Sequence, residues 1–162
     1  MPESYYLIDL DEIPPPYQRE SLLRVLHTSP LLLRQAVEKF ARYFHRESTY
    51  DCIQFDAEET HAEEKKPYTA YLFSDKDGPV WAGACCFRTR CYEGIDAPCE
   101  ALQWIWLHPF CRTRGILKSH WATLRANHGD FYVEPPLSPG MLRFVLKHNA
   151  DSAWYPVYES TR

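Results

Sequence analysis

The part of the sequence whose residue types could do chemistry is an apolar stretch followed by a basic turn and a helical pattern. Trp104 to Leu107 is apolar and aromatic, which is typical of a buried strand, and Pro109 ends it. The turn from Arg112 to Leu117 contains two arginines and one glycine, and a helix is predicted over Arg114 to Asn127. Because the first amides of a helix lack intrahelical acceptors and lie at the positive end of its dipole, this turn can bind a phosphate.

The charge distribution favours a small anion at this turn and excludes a general attraction to polyanions. The chain has 18 Lys and Arg against 22 Asp and Glu, a net charge of −4, so we expect no nucleic-acid partner. The segment from Ala101 to Gly129 contains no Asp or Glu and carries four Lys or Arg. A run of acids is interpreted as a solvated loop without a function: Asp56, Glu58, Glu59, Glu63 and Glu64.

This strand, turn and helix resemble the GNAT superfamily of N-acetyltransferases. In that family an apolar strand, often ending Val-x-Pro, precedes the turn Arg/Gln-x-x-Gly-x-Gly/Ala. Here Leu107-His108-Pro109 stands at the strand end, and Arg112-Thr113-Arg114-Gly115-Ile116-Leu117 stands at the turn. The elements predicted around the turn arrive in the family's order, so the resemblance covers about residues 50 to 158. Leu117 departs from the pattern, because Gly or Ala is usual there.

A weaker local similarity is to the cohesin acetyltransferases, which have an Ile-Trp-Val strand and an acidic, Pro-rich turn. Trp104 to Leu107 and Glu134 to Gly140 carry it. The N-terminal half shows no C2H2 zinc finger of the kind those proteins often have, and no metal site is predicted.

The GNAT resemblance implies that the chain binds acetyl-CoA. Backbone groups of Ile105 and Leu107 would pair with the pantetheine arm, and a divergence of the strands after Leu107 would let its N–H polarise the thioester carbonyl. The backbone amides that would hold the pyrophosphate belong to Arg112, Thr113, Arg114, Gly115, Ile116 and Leu117. With glycine or alanine replaced by leucine at position 117, either the helix start shifts, or the cofactor sits differently, or binding has been lost.

Acetyl transfer to an amine needs a base that takes the ammonium proton. Glu134 is the first candidate, since it ends the strand predicted after the cofactor helix. Glu100, Glu93 and His108 are alternatives.

The transfer also needs an acid for the leaving thiolate, and the superfamily often uses a tyrosine in its last helix. The helix predicted over Pro139 to His148 contains none, so Ser138, Tyr132 or water is expected to serve. A thiolate nucleophile at Cys111 is not favoured, because no Cys-His-Asn spacing accompanies it.

The remaining cysteines and the N-terminus indicate the compartment. Six cysteines without a C-x-x-C pair predict reduced, mostly packed thiols. The N-terminal residues lack the pattern of a signal peptide, and no apolar run approaches the ~20 residues that span a bilayer. We therefore expect a cytoplasmic protein without a membrane partner.

Periodicity along the chain predicts the elements that position the turn. Helices are predicted over Arg19 to His27 and, most clearly, around Leu33 to Phe44. A hairpin is predicted from Tyr68 to Phe73 and from Val80 to Arg90, with Asp75 to Gly78 as its turn. The region from Tyr92 to Glu100 is interpreted as a loop. A strand or extended arm is predicted at Tyr5–Leu10. Further strands are predicted at Tyr50–Phe55, Leu102–Leu107, Phe131–Val133 and Trp154–Tyr158.

This order predicts an α/β fold with a mixed, mainly antiparallel central sheet flanked by helices, the GNAT-like acyl-CoA N-acyltransferase fold. We expect a single domain over residues 1–162, with an N-terminal arm and helices in 1–49 and the sheet, cofactor turn and C-terminal helices in 50–158. The expected function is acetyl transfer from acetyl-CoA to a primary amine, either a small molecule or a protein lysine, by direct transfer. The alternatives are a catalytically silent protein-binding domain and an acyltransferase that uses a longer acyl-CoA.

Overall fold

The structure is a computed structural model, and it describes residues 8–48, 52–59, 68–75, 78–135 and 137–148. Three α-helices and five strands form this part of the chain, with two short 3-10 helices at Pro15–Tyr17 and Pro109–Cys111. The helices are α1 (Leu31–Ser48), α2 (Ile116–His128) and α3 (Pro139–His148). The strands are β1 (Leu22–Val25), β2 (Tyr68–Ser74), β3 (Trp81–Arg90), β4 (Cys99–Leu107) and β5 (Tyr132–Val133). None of the described helices is both long and apolar enough to cross a membrane.

The sheet has the strand order β1-β2-β3-β4-β5. Strands β1 to β4 pair antiparallel, and β5 pairs parallel to β4 after the crossover through α2. The prediction of an α/β fold with a mixed, mainly antiparallel sheet flanked by helices is confirmed.

Alternation along β4 divides the core into two layers. Trp104 and Trp106 are buried in the layer that α1 covers, together with Val37 and Phe40 of that helix. Ile105 and Leu107 pack in the other layer, whose buried members come from α2, α3 and the opposite sheet face. This packing explains the periodicity that predicted α1, since one face of the helix covers the sheet and the other is exposed to solvent.

Gly83 allows the end of β4 to lie close against β3. It pairs with Leu107, and a Cβ atom built at position 83 would lie 2.3 Å from the Trp106 carbonyl oxygen and 2.9 Å from the Leu107 Cα. A side chain at this position would push the two strands apart. Glycine is therefore required where β4 leads into the basic turn.

Two predictions for the N-terminal half are wrong in the described residues. The segment predicted as a helix over Arg19–His27 contains β1, because its backbone pairs with Ala70 to Phe73 of β2, and so short a helix would be marginal by itself. The described part of the predicted strand Tyr50–Phe55 forms no strand, whereas for Tyr5–Leu10 the described residues 8–10 form no strand and the alternative of an extended arm is left.

The other predicted boundaries differ less. β4 begins at Cys99, inside the region predicted as a loop, because Cys99 pairs with Arg90. The predicted strand Trp154–Tyr158 lies outside the described residues.

Candidate active site

Strands β4 and β5 part soon after they meet. Their last backbone bond joins the Glu134 N–H to the Leu102 carbonyl at 2.9 Å, and β4 continues alone to Leu107. Glu134 is followed by Pro135 and Pro136, which have no N–H to continue the ladder. The divergence therefore begins at Leu102, and the expectation that it follows Leu107 is wrong.

The edge of β4 exposed by this divergence presents the backbone of Ile105 and Leu107. His108 donates its N–H to the Ala82 carbonyl at 2.8 Å, which fixes the antiparallel alternation at this end of the ladder. Leu107 and Ile105, one and three positions before His108, then point their N–H and C=O groups away from β3. Among the described residues no strand pairs with this stretch of the edge.

A cavity of about 540 Å³ occupies the space between the parted strands. Its walls come from β4, the end of α1, the basic turn and the start of α3. Of the residues singled out in the sequence, those lining it are Ile105, Leu107, Arg112, Thr113, Leu117, Glu134 and Ser138. The structure thus brings most of the predicted site residues to one cavity.

The turn before α2 has the backbone of an anion site. Thr113 and Gly115 both have left-handed backbone conformations, with φ of 64° and 81°, and α2 begins directly afterwards at Ile116. Gly115 is the N-cap and supplies no side-chain acceptor, so the first amides of α2 need another partner. A Cβ atom built at Gly115 would meet nothing within 4 Å, so there is room for a ligand beside the turn.

Arg112 holds the site together and is itself neutralised. Its Nε donates to the Leu107 carbonyl at 2.9 Å, and its two Nη atoms donate to the Glu47 carboxylate at 2.7 Å each. The guanidinium also lies over the Trp106 ring, 5.5 Å from its centroid. The hydrogen bond from Arg112 is the largest of the effects that lower the pKa of Glu47. Arg112 therefore links α1, β4 and the turn.

The segment without acids in the sequence is not without acids in the fold. Glu47 pairs with Arg112 from α1, and Asp75 lies 3.8 Å from Arg114. These carboxylates come from other parts of the chain and offset the positive charge of the turn. Anion binding at this turn would consequently rely on the amides at the start of α2 more than on the arginines.

Leu117 contributes to the core as well as to the cavity wall. Its side chain is only 8% exposed and belongs to the apolar cluster beneath α2, with Ile116 and Trp121. Leu117 therefore belongs both to this apolar cluster and to the wall of the cavity.

Glu134 is held in place by two donors. Arg90 Nε and the Tyr92 hydroxyl donate to its Oε1, at 2.7 and 2.8 Å. The side chain is 16% exposed and lines the cavity, so Oε2 is the oxygen left for an acceptor amine. The pKa of Tyr92 is raised, mainly by burial and then by the Glu134 charge.

The other candidates for the base do not line this cavity. Glu100 contacts His128 Nδ1 at 3.2 Å and accepts from Thr89 at 3.3 Å. His108 Nδ1 accepts from the Phe110 amide at 3.1 Å, and its pKa is lowered by burial and then by Arg112. Glu93 is exposed in the loop after β3.

Among the acid candidates, Ser138 lines the cavity and Tyr132 does not. Ser138 caps α3, because its Oγ accepts from the Met141 amide at 3.1 Å. Its hydroxyl proton remains available to a ligand.

The cysteines provide no nucleophile at the turn. All six are free thiols, and burial followed by the nearby Asp75 charge raises the pKa of Cys111. Burial also raises the pKa of Cys85 and Cys86. Among the described residues, no group of three or more His, Cys, Asp or Glu could hold a metal ion.

Three residues of the site were not found from the sequence: Glu47, Arg90 and Tyr92. Glu47 is 65 positions from Arg112, and Arg90 and Tyr92 are 44 and 42 positions from Glu134. None belongs to a motif, so only the fold brings them into contact.

Solved structures of N-acetyltransferases resemble this fold. A ribosomal-protein-alanine N-acetyltransferase from Brucella melitensis biovar Abortus 2308 superposes with a TM-score of 0.56 at 16% identity, over 83% of this chain and 94% of that chain. The aminoglycoside N-acetyltransferase AAC(6′)-Iy, solved in complex with CoA, gives 0.49 at 15% identity, over 78% and 87%. A Trypanosoma brucei acetyltransferase gives 0.49 at 10% identity, over 78% and 89%. No protein-family model matches the sequence, and no curated protein matches it.

The sheet, the crossover helix and the parted strands define an acyl-CoA N-acyltransferase fold. Within that class the chain has the fold of the GNAT superfamily, so the resemblance predicted from the strand and turn is confirmed at the level of fold. The closer similarity to the cohesin acetyltransferases stays a prediction.

Proposed function

We propose that this protein is an N-acetyltransferase that transfers an acetyl group from acetyl-CoA to a primary amine by direct transfer in a ternary complex. The observation that carries the proposal is the cavity between the parted ends of β4 and β5, which leads to the amides at the start of α2. A strand edge with unpaired backbone groups next to an anion site suits a ligand that has an amide-containing arm and a pyrophosphate.

The residues at this cavity fit acetyl-CoA in two respects. The amides of Thr113 to Leu117 would hold the pyrophosphate, with the open side of Gly115 as the space for it. The backbone of Ile105 and the N–H of Leu107 would pair with the pantetheine amides, whereas the Leu107 carbonyl already accepts from Arg112. When bound, acetyl-CoA supplies an acetyl group activated as a thioester.

Proton transfer in this proposal uses two residues of the cavity wall. Glu134 Oε2 would take the proton of the attacking ammonium, while Arg90 and Tyr92 fix the carboxylate through Oε1. Ser138 would donate its hydroxyl proton to the departing thiolate, with its Oγ oriented by the Met141 amide. A C–N bond forms as the thioester C–S bond breaks, and the second proton that the nitrogen loses returns to Ser138, directly or through water, so that the hydroxyl is restored.

The alternative of a catalytically silent domain has one observation in its favour. The guanidinium of Arg112 is fully engaged by Glu47 and Leu107 and is not directed to a ligand phosphate. In the proposed reaction the backbone amides of the turn, and not the Arg112 side chain, bind the phosphate.

Thiol release tests the proposed reaction. The protein is mixed with acetyl-CoA and a panel of primary amines, and free CoA thiol is measured against time. We expect amine-dependent release that saturates with amine. No release above the uncatalysed background with any amine, from small amines to lysine peptides, would support the silent domain. Higher turnover with butyryl-CoA or octanoyl-CoA than with acetyl-CoA would support the longer-chain alternative.

The variant Leu117→Ala tests whether Leu117 stabilises the core or obstructs the binding of acetyl-CoA. Removing a buried leucine side chain is expected to lower the free energy of unfolding by about 2 to 5 kcal/mol. Acetyl-CoA affinity is expected to stay the same or increase, because alanine is common at this position of the GNAT turn. Urea denaturation and calorimetric titration measure the two quantities. Weaker binding in a folded variant would show that Leu117 itself contacts the cofactor.

A further inference from the structure

A second cavity of about 540 Å³ shares the lining residue Gln103 with the first. Gln103 is the extra residue of a bulge in β4, because Trp104 and Leu102 pair with the adjacent Cys86 and Phe87. It directly follows Leu102, where β4 and β5 part. The second cavity therefore reaches the point at which an acceptor amine would have to meet the thioester. Its lining is Ile53, Gln54, Phe55, Asp56, Glu59, Arg88, Thr89, Arg90 and Gln103.

Arg88 is the cation of this cavity that has no carboxylate partner in the described residues. Its Nε donates to Gln103 Oε1 at 2.8 Å, and its guanidinium lies over the Tyr68 ring, 5.3 Å from the centroid. Arg90, two residues further along β3, is already paired with Glu134. Arg88 is thus positioned by its Nε, and both Nη groups remain as a planar pair of donors.

A planar pair of Nη donors fits a carboxylate, which accepts two parallel N–H bonds. Gln103 is itself held from the other side, because its Nε2 donates to Gln54 Oε1. It is 7% exposed, so the group that orients Arg88 is fixed inside the protein. The orientation of the guanidinium is consequently built into the fold.

The cavity also carries negative charge, from Asp56 and Glu59. A polycationic amine would leave Arg88 without a partner and add repulsion to it. A simple anion would meet the two acids. A molecule with both a carboxylate and an amine offers a partner to Arg88 and a positive charge that these acids attract into the cavity and that Glu134 can then receive at its inner end.

We propose that the acceptor is a small amine that also carries a carboxylate, as an amino acid does, and that Arg88 binds this carboxylate while the amine faces Gln103 and Glu134. This inference rests on the proposed acetyl transfer and specifies its substrate class. In the transfer the amine nitrogen forms a bond to the acetyl carbon, and the thioester C–S bond breaks. One proton of the ammonium group passes to Glu134, and a second passes to Ser138 or water, which gives a proton to the thiolate.

The experiment compares acids with their carboxamides as acceptors. The twenty protein amino acids and the corresponding amino-acid amides are assayed by thiol release with saturating acetyl-CoA. For the best acceptor we expect a KM about tenfold or more below that of its amide, since a lost bidentate ion pair costs at least that factor. This comparison uses the unaltered protein, so its outcome does not depend on whether any variant folds.

Arg88→Gln then assigns the effect to one residue. We expect it to raise the KM for the acid about tenfold and to leave the KM for the amide unchanged, so that the two become equal. Arg88→Lys, which keeps the charge without the planar fork, should give an intermediate ratio. Arg24→Gln, an exposed arginine on the edge strand β1, is the matched control and should leave both values unchanged.

Several outcomes would overturn the inference. The inference would be overturned if the amino-acid amides had KM values as low as those of the acids. It would also be overturned if the Arg88→Gln variant kept the difference in KM between acid and amide. Acetyl-CoA binding without turnover of any amino acid would overturn the substrate class alone. Failure to bind acetyl-CoA would instead overturn the proposed function.

Discussion

Gly115→Glu is expected to abolish acetyl-CoA binding. The substitution places a carboxylate in the open space beside the turn, where the pyrophosphate would meet the first amides of α2. Loss of two hydrogen bonds to a charged group corresponds to about 4 kcal/mol, or roughly a thousandfold in affinity, before charge repulsion is counted. Calorimetric titration with acetyl-CoA measures the change.

Gly94→Glu is the matched control for this variant. Gly94 has the same φ of 81° as Gly115, and a Cβ atom there also meets nothing within 4 Å. Both variants therefore carry the same backbone strain and the same added charge, about 1 to 2 kcal/mol of stability in each case. Only the variant at the turn should lose binding. Equal affinity in the two variants would remove the pyrophosphate from this turn.

Glu134→Gln is expected to lower turnover about 10²- to 10⁴-fold and to leave acetyl-CoA affinity unchanged. The amide keeps the shape of the side chain and can still accept from Arg90 and Tyr92, but it cannot take a proton from an ammonium group. Steady-state thiol release gives the turnover, and calorimetric titration gives the affinity.

Glu93→Gln provides the comparison, since Glu93 is exposed and lies outside the cavity lining. It should retain full turnover. Full activity in Glu134→Gln would instead transfer the role of base to Glu93, Glu100 or water, and the same substitution at Glu93 and Glu100 would then identify it.

The sequence predicted the elements whose periodicity reflects burial on one face. The apolar face of α1 and the hairpin of β2 and β3 were recognised because each packs against the sheet or pairs across a short turn. The turn between β4 and α2 was also predicted, since a buried strand that ends at a proline before a helix is a local pattern. Their functional roles stay predictions.

The features that the sequence did not predict depend on contacts between distant segments. β1 is a four-residue edge strand, and its local sequence does not distinguish it from a short helix. Only its pairing with β2 makes it a strand. The neutralisation of Arg112 by Glu47 joins residues 65 positions apart. The divergence at Leu102 becomes visible only once β5 is aligned with β4.

Titration of the unaltered protein with acetyl-CoA tests the central claim most directly, because every step of the proposed reaction depends on the cavity between β4 and β5 holding this ligand. The account predicts saturable binding at one site per chain, with a dissociation constant roughly between 1 μM and 1 mM, the usual range of substrate affinities. Absence of binding at millimolar acetyl-CoA would contradict it and leave a GNAT fold without acetyltransferase activity.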